Sequence, residues 1–148
     1  MTLEIAYSRQ AADTEAFTLL AEGWNELVQD GYTPDRMGVP PLDWSDEVLY
    51  AIGRDGDVIG VLTWRTVTAV ACFVVTLAYV EPSSRGNGVF RALLAALRQH
   101  AAKAGIGRIV ATIFHDNPAG TAACLKTGGS GTAVVYEWDV PRDEKPGE

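Results

Sequence analysis

The order of apolar patterns along this chain predicts an α/β fold of the α+β kind, a mixed sheet covered by helices. Three observations carry that expectation. Runs rich in β-branched and aromatic residues alternate with segments whose apolar residues recur at helical spacing, in the order β-α-β-β-β-α-β-α-β. Asp55-Gly56 separates two of the strand-like runs, a hairpin signal. A later run ends in a polar, glycine-containing turn that opens directly onto an amphipathic stretch.

Each element follows from its own pattern. Residues 2–7 alternate apolar and polar through Leu3, Ile5 and Tyr7, as a half-buried strand does. Asp13 or Thr14 then stands as N-cap for a helix carrying Phe17, Leu20, Ala21, Trp24, Leu27 and Val28 at helical spacing, and Gly31 stops it. Pro34, Gly38, Pro40 and Pro41 make residues 33–44 a loop. Residues 47–54 and 57–65 are the arms of the hairpin. Residues 67–80 are a buried strand with a turn near its start. Beyond the turn at 84–88, Val89, Phe90, Leu93, Leu94 and Leu97 share one face of a helix over 89–103, which Gly105 ends. Residues 108–114 are another strand. Asn117-Pro118 offers an N-cap and a proline at the first helical position, opening a short helix that closes at Gly128-Gly129. A last strand over 133–140 completes a single domain of residues 1–140. The charged, proline-bearing residues 141–148 read as a disordered tail.

Composition narrows the function. With 148 residues, 47% hydrophobic and 21% charged, the chain has the balance of a soluble globular domain with a real core. The net charge of −7 disfavours nucleic acid and anionic membranes as partners. It suits a cationic or amine-bearing acceptor, as well as plain solubility. No apolar run approaches the ~20 residues that cross a bilayer. The first residues, with Glu4 and Arg9, lack the basic start and apolar middle of a signal peptide, so a cytoplasmic location is expected. Cys72 and Cys124 stand in unrelated contexts and the only histidines are His100 and His115, so no metal centre is expected.

The turn before the second long helix carries the clearest chemistry. A helix N-terminus leaves about four backbone N–H groups unpaired and about half a positive charge. Gly86 and Gly88 let an anion approach that backbone, and Arg85 adds a charged donor. A generic Gly-x-Gly is more often an ordinary strand-to-helix connection. Here no Gly-Lys-Ser/Thr follows, and Arg91 holds the position where a dinucleotide fingerprint has its third glycine.

The wider stretch Val80-Glu81-Pro82-Ser83-Ser84-Arg85-Gly86-Asn87-Gly88-Val89-Phe90, followed by Leu93 and Leu94, resembles the acyl-CoA loop of the GNAT superfamily of N-acyltransferases. Asn117 through Gly128, an asparagine and a small-residue helix before Lys126 and glycine, resembles that family's second signature. Together they cover residues 77–129 in matching order and spacing; the first third matches in element order alone. The resemblance implies a mostly antiparallel sheet with the fourth and fifth strands parallel and splayed. It also implies acetyl-CoA, or another acyl-CoA, as co-substrate and an amine acceptor as partner, with a homodimer as a family-level expectation. Backbone groups of Ala78, Tyr79 and Val80 would pair with the pantetheine arm. Amides of Gly86, Asn87, Gly88, Val89, Phe90 and Arg91 would hold the diphosphate. Asn117 would touch the pantetheine or cap its helix, and a strand amide near Ala78 would polarise the thioester carbonyl.

The departures concern catalysis. Relatives often carry a tyrosine seven residues after the asparagine as general acid, and this slot is Cys124. A thiol with an ordinary pKa of about 8.5 can donate a proton, although a helical cysteine among Ala122, Ala123 and Leu125 is more often a small buried hydrophobe. Thr112 fills a position where some relatives have a carboxylate base. Glu81, His115 and Asp116 remain as base candidates near the cleft, acting directly or through a water, with solvated loop side chains as the competing reading. Phe90 stands where glycine or alanine is common, and Gly129 where an aromatic is usual. Trp24 belongs to the core. Trp44, beside Asp43, Asp46 and Glu47, is the better lining for an acceptor pocket, and Tyr32 and Trp64 are further aromatics there. The expected activity is acyl transfer from acyl-CoA to a primary amine of a small molecule or peptide. The alternative is a catalytically inactive acyl-CoA-binding module acting through a partner protein.

Overall fold

The computed structural model describes residues 3–31, 42–112, 117–132 and 138. Within them lie strands β1 (Glu4–Ser8), β2 (Glu47–Ile52), β3 (Val58–Val67), β4 (Cys72–Val80) and β5 (Arg108–Val110). Helices α1 (Phe17–Gln29), α2 (Val89–Lys103) and α3 (Pro118–Lys126) alternate with them, and short 3-10 turns occupy Ala11–Asp13, Thr68–Val70 and Pro82–Ser84. The sheet runs β1-β2-β3-β4-β5. β1 to β4 pair antiparallel. β5 joins β4 in parallel, pairing Cys72, Phe73 and Val74 with Arg108, Ile109 and Val110. The parallel pairing is the one the resemblance implied; among the described residues it reaches no further along β4 than Val74. The last strand expected over 133–140 and the tail lie outside the described residues, Trp138 excepted.

Strand alternation sorts the core onto two faces. Leu49, Ala51, Leu62, Trp64 and Phe73 pack against Val89, Leu93, Leu97 and Ala101 of α2. Val48, Val61 and Leu77 pack on the opposite face against Leu19 and Leu20 of α1. Phe73 and Val75 meet α2, yet Leu77 and Tyr79 meet α1. The parity changes because Thr63 lies opposite Leu77 while Trp64 lies opposite Val75, leaving Thr76 as an extra residue in β4. That is a β-bulge.

Two glycines let helices approach the sheet. A Cβ on Gly60 of β3 would stand 2.5 Å from Val89 Cγ1, so the first turn of α2 rests directly on the sheet there. A Cβ on Gly23 of α1 would stand 2.7 Å from the Tyr79 ring.

The start of α1 differs from expectation. Residues Ala11–Asp13 form a 3-10 turn whose amides at Ala11 and Ala12 donate to the carbonyls of Asp46 and Trp44. With those amides committed to the neighbouring loop, the helix begins at Phe17, and the Thr14 hydroxyl accepts from the Ala16 amide instead of capping it. Trp24, expected in the core, is half-buried and belongs to neither face's cluster; Leu19, Leu20 and Gly23 are the residues α1 buries.

Candidate functional site

At the end of β4 the Glu81 amide donates to the Ile59 carbonyl at 2.9 Å. By alternation the main chain of Tyr79 also faces β3, while the amides and carbonyls of Ala78 and Val80 face the side of β4 on which β5 lies. The Val80 carbonyl accepts from Arg85 Nε at 2.9 Å. The same guanidinium lies 5.3 Å from the centre of the Tyr79 ring and 3.6 Å from Glu26 on α1. Tyr79 donates its hydroxyl to Glu26 at 2.6 Å. That hydrogen bond, with burial and the carboxylate's charge, pushes the phenol up to about 12. Tyr79 is therefore held as a structural donor.

The turn that follows is built by Glu81. Its carboxylate accepts from the Ser83 amide and from the hydroxyls of Ser83 and Ser84. The hydrogen bonds from Ser83 hold it below the usual carboxylate range, with Ser84 and Arg85 adding to the effect. Those donors cost Glu81 basicity. Asn87 donates back to the Ser84 carbonyl at 3.2 Å, closing the loop. Gly86 and Gly88 both adopt φ +80°, which side chains rarely tolerate, and a Cβ on either would meet nothing within 4 Å. Gly88 caps α2 without a side-chain hydrogen bond. Among the described residues no hydrogen bond occupies the amides of Gly86 to Arg91.

The loop thus carries unpaired N–H groups at a helix start, with free space beside the Cα atoms of Gly86 and Gly88, an arrangement suited to an anion. Val89 is buried against Gly60, and Phe90 packs against the α2-side core, so neither side chain plugs the mouth. The Arg91 guanidinium turns to the Lys126 carbonyl at 3.3 Å.

α3 forms the second part of the site. Asn117 accepts from the Gly120 amide at 3.0 Å and caps the helix, with Pro118 following it. At the other end Arg91 and Arg98 of α2 donate to the carbonyls of Lys126 and Thr127, opposing the negative end of the helix dipole. The Gly129 amide donates to the Cys124 carbonyl, and a Cβ on Gly129 would stand 2.9 Å from that oxygen. That crowding accounts for glycine where an aromatic was expected. Cys124 is half-buried, and burial pushes its thiol up. His115 and Asp116 lie outside the described residues, as does Tyr32.

On the α1 side, the Trp44 ring is partly exposed and lies 4.9 Å from that of Phe17. Of the carboxylates beside it, Asp43 binds the amide and hydroxyl of Ser45, and Glu47 accepts from the Tyr7 hydroxyl. Asp46 is buried. It accepts from Arg65 Nε and Nη2 at 2.9 and 3.2 Å, from the Thr76 hydroxyl at 2.9 Å and from the Asp43 amide at 3.0 Å. Thr76 and Thr63 also share a hydrogen bond of 2.8 Å. Asp46 is thus committed within the protein and not offered to an acceptor. Sequence reasoning missed this network; its signal was the pair of threonines inside otherwise apolar strands. Trp64 is buried among Tyr7, Phe73 and His100, as a core residue is. A cavity of about 360 Å³ opens between α1, the β2–β3 turn and the end of β4. Glu15, Glu22, Asp57 and Glu81 make its lining acidic. Among the described residues no cluster of side chains suits a metal ion, and no helix is long and apolar enough to cross a membrane.

The model of the acetyltransferase (GNAT) family matches residues 14–128. Solved structures share the fold at low identity. AAC(6')-Iy in complex with the bisubstrate analogue CoA-S-monomethyl-acetylneamine aligns over 96% of this chain and 100% of its own, at 16% identity and a TM-score of 0.69. The aminoglycoside acetyltransferase meta-AAC0020 from an uncultured soil metagenomic sample, in complex with sisomicin, aligns over 95% and 97%, at 13% identity and a TM-score of 0.67. Ribosomal-protein-alanine N-acetyltransferase from Brucella melitensis biovar Abortus 2308 aligns over 94% and 100%, at 20% identity and a TM-score of 0.67. No curated protein matches the chain by sequence.

Proposed function

The chain belongs to the acetyltransferase (GNAT) family, and from that premise we propose that it transfers an acetyl or other short acyl group from acyl-CoA to a primary amine of a small molecule or peptide. The observation that carries this reading is the row of amides from Gly86 to Arg91 at the start of α2, which no hydrogen bond among the described residues occupies, with free space beside Gly86 and Gly88. Those amides hold the diphosphate. The outward main chain of Ala78 and Val80 pairs with the pantetheine arm along that edge of β4, while Tyr79 contributes its ring against α1. Arg85 Nε takes one lone pair of the Val80 carbonyl, leaving the second lone pair and the Val80 amide for the arm, and a phosphate near the loop is a competing partner for the guanidinium.

The reaction forms an amide C–N bond and breaks the thioester C–S bond, the acyl-CoA supplying an activated carbonyl. Two proton movements fall to the protein. The incoming ammonium must lose a proton before its nitrogen attacks. Glu81 is weakened for that role by the hydrogen bonds it accepts, so we assign the base to His115, acting directly or through a water, because an ordinary imidazole titrates near neutral pH. The departing thiolate must gain a proton. Cys124, raised by burial, stays protonated at neutral pH, which suits an acid and disfavours a covalent acyl-cysteine. Asn117 fixes the start of α3 and so the placement of Cys124.

The acidic cavity and the net charge of −7 support a cationic acceptor, since carboxylates at short range favour an ammonium group. Continuous detection of free CoA thiol, with acetyl-CoA and a panel of polyamines, aminoglycosides, amino acids and peptides, tests the reading. Amine-dependent thiol release is expected, strongest for acceptors bearing several ammonium groups. Absence of release with the whole panel, despite bound acetyl-CoA, would replace the enzyme with a binding module.

A further inference from the structure

We propose that Asp46 is a positioning residue for acyl transfer, acting through the bulged Thr76 to set the main chain of β4 where the thioester lies. The inference rests on the acyl-CoA reading above. Parallel pairing between β4 and β5 ends at Val74, and the extra residue of the bulge, Thr76, comes two positions later. Among the described residues, the bulge therefore stands just past the last paired position of β4 and β5. An extra residue re-aims the neighbouring amides and carbonyls and leaves them outside the ladder. At this position they face the space into which the pantetheine arm along Ala78 and Val80 would deliver its acyl end.

An irregular strand segment needs something to hold it in one arrangement. Here the Thr76 hydroxyl is gripped by Asp46 and by Thr63. Thr76 and Leu77 are consecutive, yet both serve the α1 face: Thr76 bonds Thr63 and Asp46, while Leu77 joins the core beneath α1. Asp46 is in turn fixed by Arg65 and by the Asp43 amide, so one carboxylate ties the segment before β2 to β3 and to the middle of β4. An ion pair with one buried partner is weak evidence for stability, because apolar replacements of similar volume often do as well. What it supplies is a single geometry, and the geometry it fixes is that of the bulge.

The test compares the wild type with Thr76→Val, Thr76→Ser and Asp46→Asn. Infrared difference spectra of [1-13C]acetyl-CoA read the polarisation of the bound carbonyl, and titration with CoA reads binding of the remainder of the molecule. The wild type is expected to lower the carbonyl stretching frequency on binding. Thr76→Val keeps side-chain shape and leaves the Asp46–Arg65 pair intact. It should lose most of that downshift while binding CoA within about twofold of the wild type, because the diphosphate amides on α2 are untouched. Thr76→Ser should restore the downshift, and Asp46→Asn should lose it. If Asp46→Asn does not fold, Thr76→Val decides alone. A Thr76→Val protein with the wild-type carbonyl frequency overturns the proposal, as does one that loses CoA affinity and the downshift together. A wild type that binds acetyl-CoA without a downshift overturns this inference alone. Failure of the wild type to bind acetyl-CoA overturns the acyl-CoA reading with it.

Discussion

In the proposed reaction Cys124 is the residue that supplies the proton to the leaving thiolate. Burial favours its neutral form, so its thiol holds the proton to a higher pH than an ordinary cysteine, whose pKa is about 8.5. An acid with a raised pKa is fully available below the ordinary value and is lost as the pH rises through the raised one. Turnover should therefore fall on the alkaline side above the ordinary thiol range. Cys124→Ala should abolish that limb and lower kcat by about 10²-fold, within the usual contribution of general acid catalysis. Cys124→Ser should not rescue it, since a hydroxyl is far less acidic. A pH–rate profile of Cys124→Ala identical to that of the wild type would remove the thiol from the mechanism. Glu81 behaves in the opposite sense. Its carboxylate is lowered by the Ser83 hydrogen bonds, so it stays ionised at neutral pH and contributes a fixed charge to the acidic cavity.

At the level of elements, the placement of α2 decides whether the loop amides converge. Val89, the first residue of α2, rests on Gly60 of β3, with room for no Cβ. Gly60→Ala should push the first turn of α2 off the sheet, costing about 1–3 kcal/mol as overpacking commonly does, and weaken acetyl-CoA binding as well. Denaturant unfolding and calorimetry read the two effects separately. A destabilised variant with undiminished affinity would contradict this account of the helix. The partner helix α3 depends on two guanidiniums. Arg98→Ala removes the hydrogen bond to the Thr127 carbonyl and should cost about 1 kcal/mol. Its effect should fall on kcat more than on CoA affinity, because α3 carries Cys124 and the diphosphate site does not.

Much at this scale was legible in the sequence. The bounds of α2, the N-cap at Asn117 and a turn at Asp55-Gly56 follow from local patterns, since a helix face, a cap and a tight turn are all set by near neighbours. The turn is nevertheless longer than two residues, closing from Gly53 to Asp57. What escaped was long-range. The start of α1 moved because the amides of Ala11 and Ala12 bond to the distant 44–46 segment. The hydroxyl of the bulged Thr76 bonds a carboxylate 30 residues earlier in the chain. Asp46 read as one of the carboxylates beside Trp44 at the acceptor pocket, and only the fold brings Arg65 and Thr76 to it. The site divides in the same way. The glycines and backbone of the loop announced themselves, whereas the commitments of Glu81 to Ser83 and of Tyr79 to Glu26 needed coordinates.

For the whole molecule, the central claim is that folding creates an anion site which the unfolded chain lacks. Any ligand selective for the native state raises its stability. At a hundredfold excess over Kd the gain is about 2.7 kcal/mol, which for a chain of this size raises Tm by roughly 5–10 °C. Acetyl-CoA should do this, and the shift should shrink with added salt because charged diphosphate contacts are screened. The most direct measurement is calorimetric titration of acetyl-CoA into the wild type and into Gly88→Trp, each first shown to be folded by its melting curve. The wild type should bind saturably and Gly88→Trp should show no binding, because an indole would fill the free space beside Gly88. Equal affinity in the two proteins would contradict the account at its foundation.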